Sequence, residues 1–141
     1  MKQSKDDARS VVIEKTFAHP PQKLWRALTE PALLTQWLLR NNFLPEIGRR
    51  FKFRNEPVGG WDGVIDCKVL ALNPLQHLAY SWRAFDLEST VEFTLTAVEG
   101  GTHLRMKHSG FRDNQEAAYK GAQHGWQRFI GILERLLDDE G

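Results

Sequence analysis

The chain has 141 residues, enough for one domain with a sizeable core by the usual size of about 100–200 residues, and a second domain is not expected. Its 19 Lys and Arg against 18 Asp and Glu leave a formal charge of +1 with no long block of either sign, which argues against a dedicated nucleic-acid or polyanion binder. No apolar run approaches the roughly 18 residues needed to span a bilayer, and Met1 to Asp7 lack the apolar core of a signal peptide, so a cytoplasmic protein without membrane association is expected.

Residues 1–9 are polar and charged and are expected to form a disordered tail. From Ser10 onward Val11, Ile13 and Phe17 alternate with Val12, Glu14 and Thr16, the pattern of a strand. Pro20-Pro21 ends it. Proline suits the first helical turn, which predicts a helix through Gln22–Leu28 with Trp25 and Leu28 on one face. Thr29-Glu30-Pro31 breaks that helix and starts a second short one, Ala32 to Trp37, with Thr29 or Glu30 near its cap.

The middle of the chain reads as strand after strand. Phe51 and Phe53, then Ile65, Cys67 and Val69, then Leu78, Tyr80 and Trp82 occupy alternate positions, with polar residues between them. Asn73-Pro74 marks a turn, and Val58-Gly59-Gly60 loosens the loop before Trp61. Val91, Phe93 and Leu95 continue the alternation; Glu99-Gly100-Gly101 turns the chain into Leu104, Met106 and His108, a hairpin. Cys67, the single cysteine, allows no internal disulfide or Cys-rich metal site, and its parity favours a small buried hydrophobe over the alternative of a reactive thiol.

A long final helix is predicted over roughly residues 114–138. One face carries Tyr119, Ala122, Trp126, Phe129, Ile130, Leu133 and Leu137, with Ala118, Gly125 and Leu136 at its edge. Its C-terminal half is filled with large side chains, whereas the N-terminal half offers Ala118, Ala122, Gly125 and, at the margin, Gly121. An interior glycine costs about 1 kcal/mol relative to alanine in a helix. Either the backbone approaches a neighbour closely there, or space is left between helix and sheet for a small molecule.

Half-polar strands joined by tight turns imply an antiparallel sheet solvated on one side. Only the last helix is long enough to cover the other side. The expected architecture is α+β: a curved six-stranded antiparallel sheet around the long C-terminal helix, with two short helices after strand 1 closing one end. A pocket would lie at the small-residue half of the long helix.

Several stretches then carry a family resemblance. They are Trp25-Arg26-Ala27-Leu28-Thr29-Glu30-Pro31 followed by Trp37; Gly48-Arg49-Arg50-Phe51; Gly63-Val64 with Asn73-Pro74 and Leu78 through Trp82; Gly101-Thr102-His103-Leu104 running to His108-Ser109-Gly110; and Gly125-Trp126. The chain resembles the START-like helix-grip (SRPBCC) superfamily over about residues 10–138, a single domain, and within it the bacterial branch related to the C-terminal domain of the activator of Hsp90 ATPase. Members include ligand carriers, cyclases, self-sacrificing resistance proteins and chaperone partners, so the resemblance specifies fold far more than function. Two departures bear on the end wall of the pocket: Trp37-Leu38 stands where such domains often carry a tryptophan pair, and Gly48-Arg49 where they carry Gly-Gly.

Candidate site residues follow from parity and from the aromatic composition of five Trp, eight Phe and two Tyr. These rings fill a core or line a cavity from several sides. Phe51, Phe53, Trp82, Phe93, Trp126 and Phe129 are aromatic candidates for the lining, with Met106, Tyr119, Ala122 and Gly125; Trp61 and Trp37, near loops, are candidates for closing a mouth. His108 shares the inward face with Leu104 and Met106. It is a weak candidate for a general base or a donor to a ligand, against the alternative of a core histidine satisfied by a backbone group. Tyr80 needs a partner for its hydroxyl, either a ligand or a structural carbonyl. His124 lies about 160° from Trp126 around the helix and points to solvent. His19, His77 and His103 fall at turns or outward positions, and Asp66 falls on the polar face.

No zinc-ligand spacing, phosphate loop or nucleophile turn is present in the sequence, so neither metal nor cofactor is expected and nothing requires catalysis. The leading expectation is a small apolar or aromatic ligand held between helix and sheet. The alternatives are a chaperone-linked interaction protein, as the resemblance implies, and a cofactor-free cyclase or hydrolase using the same cavity. A monomer or weak dimer fits either case.

Overall fold

Alternation near the start of the chain produces β1 (Val11–Phe17), buried at Val11 and Phe17 and exposed at Val12, Glu14 and Thr16. The computed structural model describes residues 9–139, so the tail expected over residues 1–9 lies, apart from Arg9, outside the described residues. Prolines open both short helices, α1 (Pro21–Thr29) and α2 (Pro31–Trp37), where a missing N–H costs nothing. Glu30 sits at the junction. Its N–H donates to the Arg26 carbonyl at 2.9 Å while its carbonyl accepts from Leu34 N–H at 2.9 Å, and its side chain makes no cap. The indole of Trp37 donates to the Ala27 carbonyl at 2.8 Å and ties the two helices together.

After α2 come β2 (Arg40–Asn41), β3 (Arg50–Arg54), β4 (Val64–Asn73), β5 (His77–Ala84), β6 (Leu87–Val98) and β7 (Gly101–Ser109), followed by α3 (Glu116–Asp139). The sheet is antiparallel throughout, in the order β1-β7-β6-β5-β4-β3-β2. It has seven strands where six are expected. The extra one, β2, is a two-residue segment against Phe53 and Arg54 at the sheet edge, too short to show an alternating pattern.

The sheet curves. Register slips between Val69 and Ala71 against β5, a bulge that bends a strand and increases its twist, and Leu70 is left exposed there. The concave face holds α3 unevenly. Trp126, Ile130, Leu133 and Leu137 are buried, whereas Tyr119, Ala122 and Gly125 remain half-buried. Between the bulge and the short helices, Phe43, Phe51, Phe53, Tyr80 and Phe93 form a continuous aromatic cluster with centroid separations of 4.9 to 6.3 Å. That cluster fills one end of the concavity. The other end, facing the N-terminal half of α3, is not filled in the same way.

Candidate functional site

The unfilled end is a cleft of about 370 Å³, a size within the range of small-molecule sites. Four residues from one stripe of α3, Ala118, Gly121, Ala122 and Gly125, form one wall, and Trp126, Arg128 and Phe129 continue it. Opposite stand Ile65 on β4, Trp82 and Ala84 on β5, Leu87 on β6 and His108 on β7, with Leu39, Asn55 and Trp61 from neighbouring loops.

The glycines separate the two explanations for the small-residue stripe. A Cβ built at Gly121 meets no atom within 4 Å, and one at Gly125 meets only Phe129 Cε2 at 4.0 Å. Neither glycine permits a close backbone approach; both border open space. A third glycine does the opposite. Gly63, at φ +83°, packs so tightly that a Cβ would collide with the Asn55 carbonyl, and Asn55 N–H donates to the Gly63 carbonyl at 2.8 Å. This fixes the base of the loop that carries Asn55 and Trp61 to the mouth. Val58 and Trp61 close the loop through reciprocal backbone bonds of 3.2 and 3.0 Å, and the Trp61 indole donates to the Val64 carbonyl at 3.1 Å.

His108 is the polar centre of the wall, and its hydrogen bonds determine its tautomer. An indole N–H can only donate, so Trp126 Nε1–H gives its proton to His108 Nδ1 at 3.0 Å. Nε2 therefore carries the ring proton and donates to Ser89 Oγ at 2.8 Å, and the Ser89 hydroxyl passes on to the Trp82 carbonyl at 2.8 Å. Burial, with the residue 2% exposed, depresses the imidazole to about 3, so the ring is neutral at physiological pH. Both nitrogens are engaged. The relay holds Trp126 on α3 to β7, β6 and β5, and leaves no lone pair for the general-base role considered from sequence. The partners are two side chains rather than the backbone group of the alternative reading.

Among the remaining expected site residues, Trp61, Trp82, Ala122, Gly125, Trp126 and Phe129 line the cleft. The structure sets the others elsewhere. Trp37 is 1% exposed and packs beneath α1 through its bond to Ala27, so it closes no mouth. Phe51, Phe53, Phe93 and Met106 are fully enclosed core residues. Tyr80 is 0% exposed, its hydroxyl reaches no structural carbonyl and has no partner among the described residues, and burial pushes its pKa well up. Tyr119 packs edge-on against Phe111 at 5.6 Å, under the Arg9 guanidinium at 5.5 Å, and so joins α3 to the start of β1.

Besides Ile65, which the alternation places inward without making it a site candidate, five lining residues were not singled out from sequence: Leu39, Asn55, Ala84, Leu87 and Arg128. The signal for three of them was present. Asn55 continues the parity of Phe51 and Phe53, Ala84 continues that of Tyr80 and Trp82, and Arg128 falls on the helical stripe of Gly121 and Gly125. Cys67 is buried, its thiol pushed up by burial, and Asp66 pairs with Lys52 across β3 and β4 on the outer face. His124 is exposed. No group of His, Cys, Asp and Glu able to hold a metal occurs among the described residues, nor does a helix long and apolar enough to cross a membrane.

Comparison with known proteins places this geometry in a family. Protein MLL2253 from Mesorhizobium loti is 48% identical, with 94% of this chain and 98% of that chain covered and a TM-score of 0.86. DynU16, from the dynemicin biosynthetic locus, is 23% identical with a TM-score of 0.80 over 92% of this chain and 47% of that one. CalU16 from Micromonospora echinospora is 21% identical, with a TM-score of 0.76 over 93% of this chain and 77% of that one. At such identities the last two share the fold alone. No curated protein matches. Residues 18–138 match the family described as activator of Hsp90 ATPase homolog 1-like protein, and the chain belongs to that family.

Proposed function

We propose that the chain binds a small apolar or aromatic molecule in the cleft between α3 and the sheet. One observation carries this reading: Gly121 and Gly125 border open space instead of a packed neighbour, within a wall made mostly of Ala, Leu, Ile, Phe and Trp side chains, with His108, Asn55 and Arg128 among them. Two helix-weakening glycines facing a void are accounted for by a ligand that occupies it. Burial of apolar surface, worth about 25 cal/mol per Å², supplies the affinity. The His108 relay keeps the Trp126 ring in place as a fixed wall, which lowers the ordering cost of binding.

The test is calorimetric titration of fatty acids, sterols, flavonoids and polyketide-like aromatics into the wild-type protein and into Gly125→Leu, whose side chain extends into the cleft. Saturable binding by one class in the wild type, lost in the folded variant, supports the reading. Equal binding by both proteins puts the ligand elsewhere. The absence of binding by every class favours instead a protein partner, the reading suggested by the family's chaperone-linked description. Recovery of changed rather than unchanged ligand would reassign the cleft to an enzyme.

A further inference from the structure

The cleft is apolar but not featureless, and its side-chain polarity is of one kind. Trp61 and Trp126 use their indole N–H groups inside the protein, and His108 has both nitrogens engaged. Three donors remain. Trp82 lines the cleft and is 8% exposed; its Nε1–H has no hydrogen-bond partner among the described residues and is not one of the sealed polar atoms there, so it keeps contact with open space. Asn55 Oδ1 accepts from Glu56 N–H at 2.8 Å, which identifies the oxygen of the amide and leaves Nδ2 as its free end. Arg128 stands exposed at the rim, its guanidinium 5.4 Å from the Phe129 ring, with no carboxylate partner among the described residues.

Against these donors the lining side chains offer no carboxylate, and the one acceptor outside the His108 relay, Asn55 Oδ1, already takes the Glu56 N–H. A wall of unpaired donors leaves a ligand's own N–H or ammonium groups desolvated without a partner, and it matches a ligand that carries acceptors alone.

We infer that the ligand is an amphipathic acid: an apolar body in the cleft beside Trp126 and Gly125, an acceptor oxygen on the Trp82 N–H, and an anionic head at Arg128 and Asn55. This rests on the reading of the cleft as a ligand site, and the two fail differently. Guanidinium and carboxylate suit each other in charge and in bidentate shape. Because Arg128 is exposed, its pairing sets preference among ligands more than total affinity, and that preference declines as salt screens it.

The test compares 2-naphthoate, its methyl ester and 2-naphthylmethylammonium, and the same trio built on a decyl chain, by calorimetry on the full chain at low salt. The acid of at least one scaffold binds about fivefold tighter than its ester, an advantage expected of a partly exposed ion pair, and the ammonium binds weakest. Arg128→Gln removes most of the acid's advantage, so the ratio of acid to ester affinity falls toward one. Trp82→Phe weakens acid and ester alike. Equal affinity within every trio that binds, a preference for the ammonium, or an acid preference unaffected by Arg128→Gln overturns the inference while the cleft reading stands. No binding by either trio overturns the inference, and with no binder in the wider calorimetric panel it overturns the cleft reading as well.

Discussion

Adding one methyl group at Gly125 tests the shape of the helix wall in the ligand-free protein. A Cβ at this position meets only Phe129 Cε2, at 4.0 Å, which is ordinary van der Waals contact, so the Gly125→Ala variant adds no clash. It removes the backbone freedom of a glycine in the interior of a long helix, a gain of about 0.8–1 kcal/mol. With an m-value of about 2 kcal/mol per M for urea, the unfolding midpoint rises by about 0.4–0.5 M at unchanged m. Gly121→Ala, where nothing lies within 4 Å, is expected to shift the midpoint in the same direction. Urea unfolding followed by circular dichroism reads both. If Gly125→Ala instead destabilised the protein by 1 kcal/mol or more, on the order of an overpacked core, the helix would be packed closely at this point and the cleft would not exist as described.

At Gly63 the same substitution is expected to act in the opposite sense: with φ at +83° and the Asn55 carbonyl in the way, Gly63→Ala costs more than about 1–3 kcal/mol by urea unfolding, and an unchanged midpoint would contradict the tight closure of the mouth loop. Tyr80→Phe removes a buried hydroxyl that has no partner among the described residues, so it leaves stability unchanged or raises it by about 1 kcal/mol, whereas a loss above 1 kcal/mol would reveal a partner. His108 titrates near 3 in the folded chain against 6.5 when unfolded, so the unfolded state binds the extra proton between those values. Its contribution is complete above about pH 6.5 and falls by up to about 1.4 kcal/mol per pH unit as pH drops toward 3. His108→Gln should flatten the stability profile between pH 6.5 and 4 relative to wild type, and parallel profiles would show that the ring is not buried neutral.

The main architecture was legible because its signals are local. Alternation at Val91, Phe93 and Leu95 and at Leu104, Met106 and His108 lies within single strands, and the proline pair Pro20-Pro21 and Pro31 place the two short helices. The uneven filling of α3 was readable in the same way, since Gly125 and Ala122 recur on the helical period. What those glycines face was not. Close packing and open space demand the same small residues, and only the curvature of the sheet decides between them.

The partners of His108 were illegible for a related reason. Ser89 and Trp126 lie 19 and 18 residues away and reach the ring only once the register of β6 on β7 and the position of α3 are set. Trp37 misled because proximity to a loop in sequence says nothing about which helix covers the ring. Asn55 and Ala84 were passed over where the strand parity runs on past the last obvious apolar residue.

The most direct test of a ligand site in the cleft is an amide and indole chemical-shift titration of isotope-labelled protein with the tightest binder of the calorimetric panel. The account predicts saturable shifts at the indoles of Trp61, Trp82 and Trp126 and at the amides of Gly121 and Gly125, with the Trp37 indole, held by the Ala27 carbonyl outside the cleft, unmoved. Shifts confined to the outer face of the sheet, or to Trp37 with the cleft indoles silent, would contradict it.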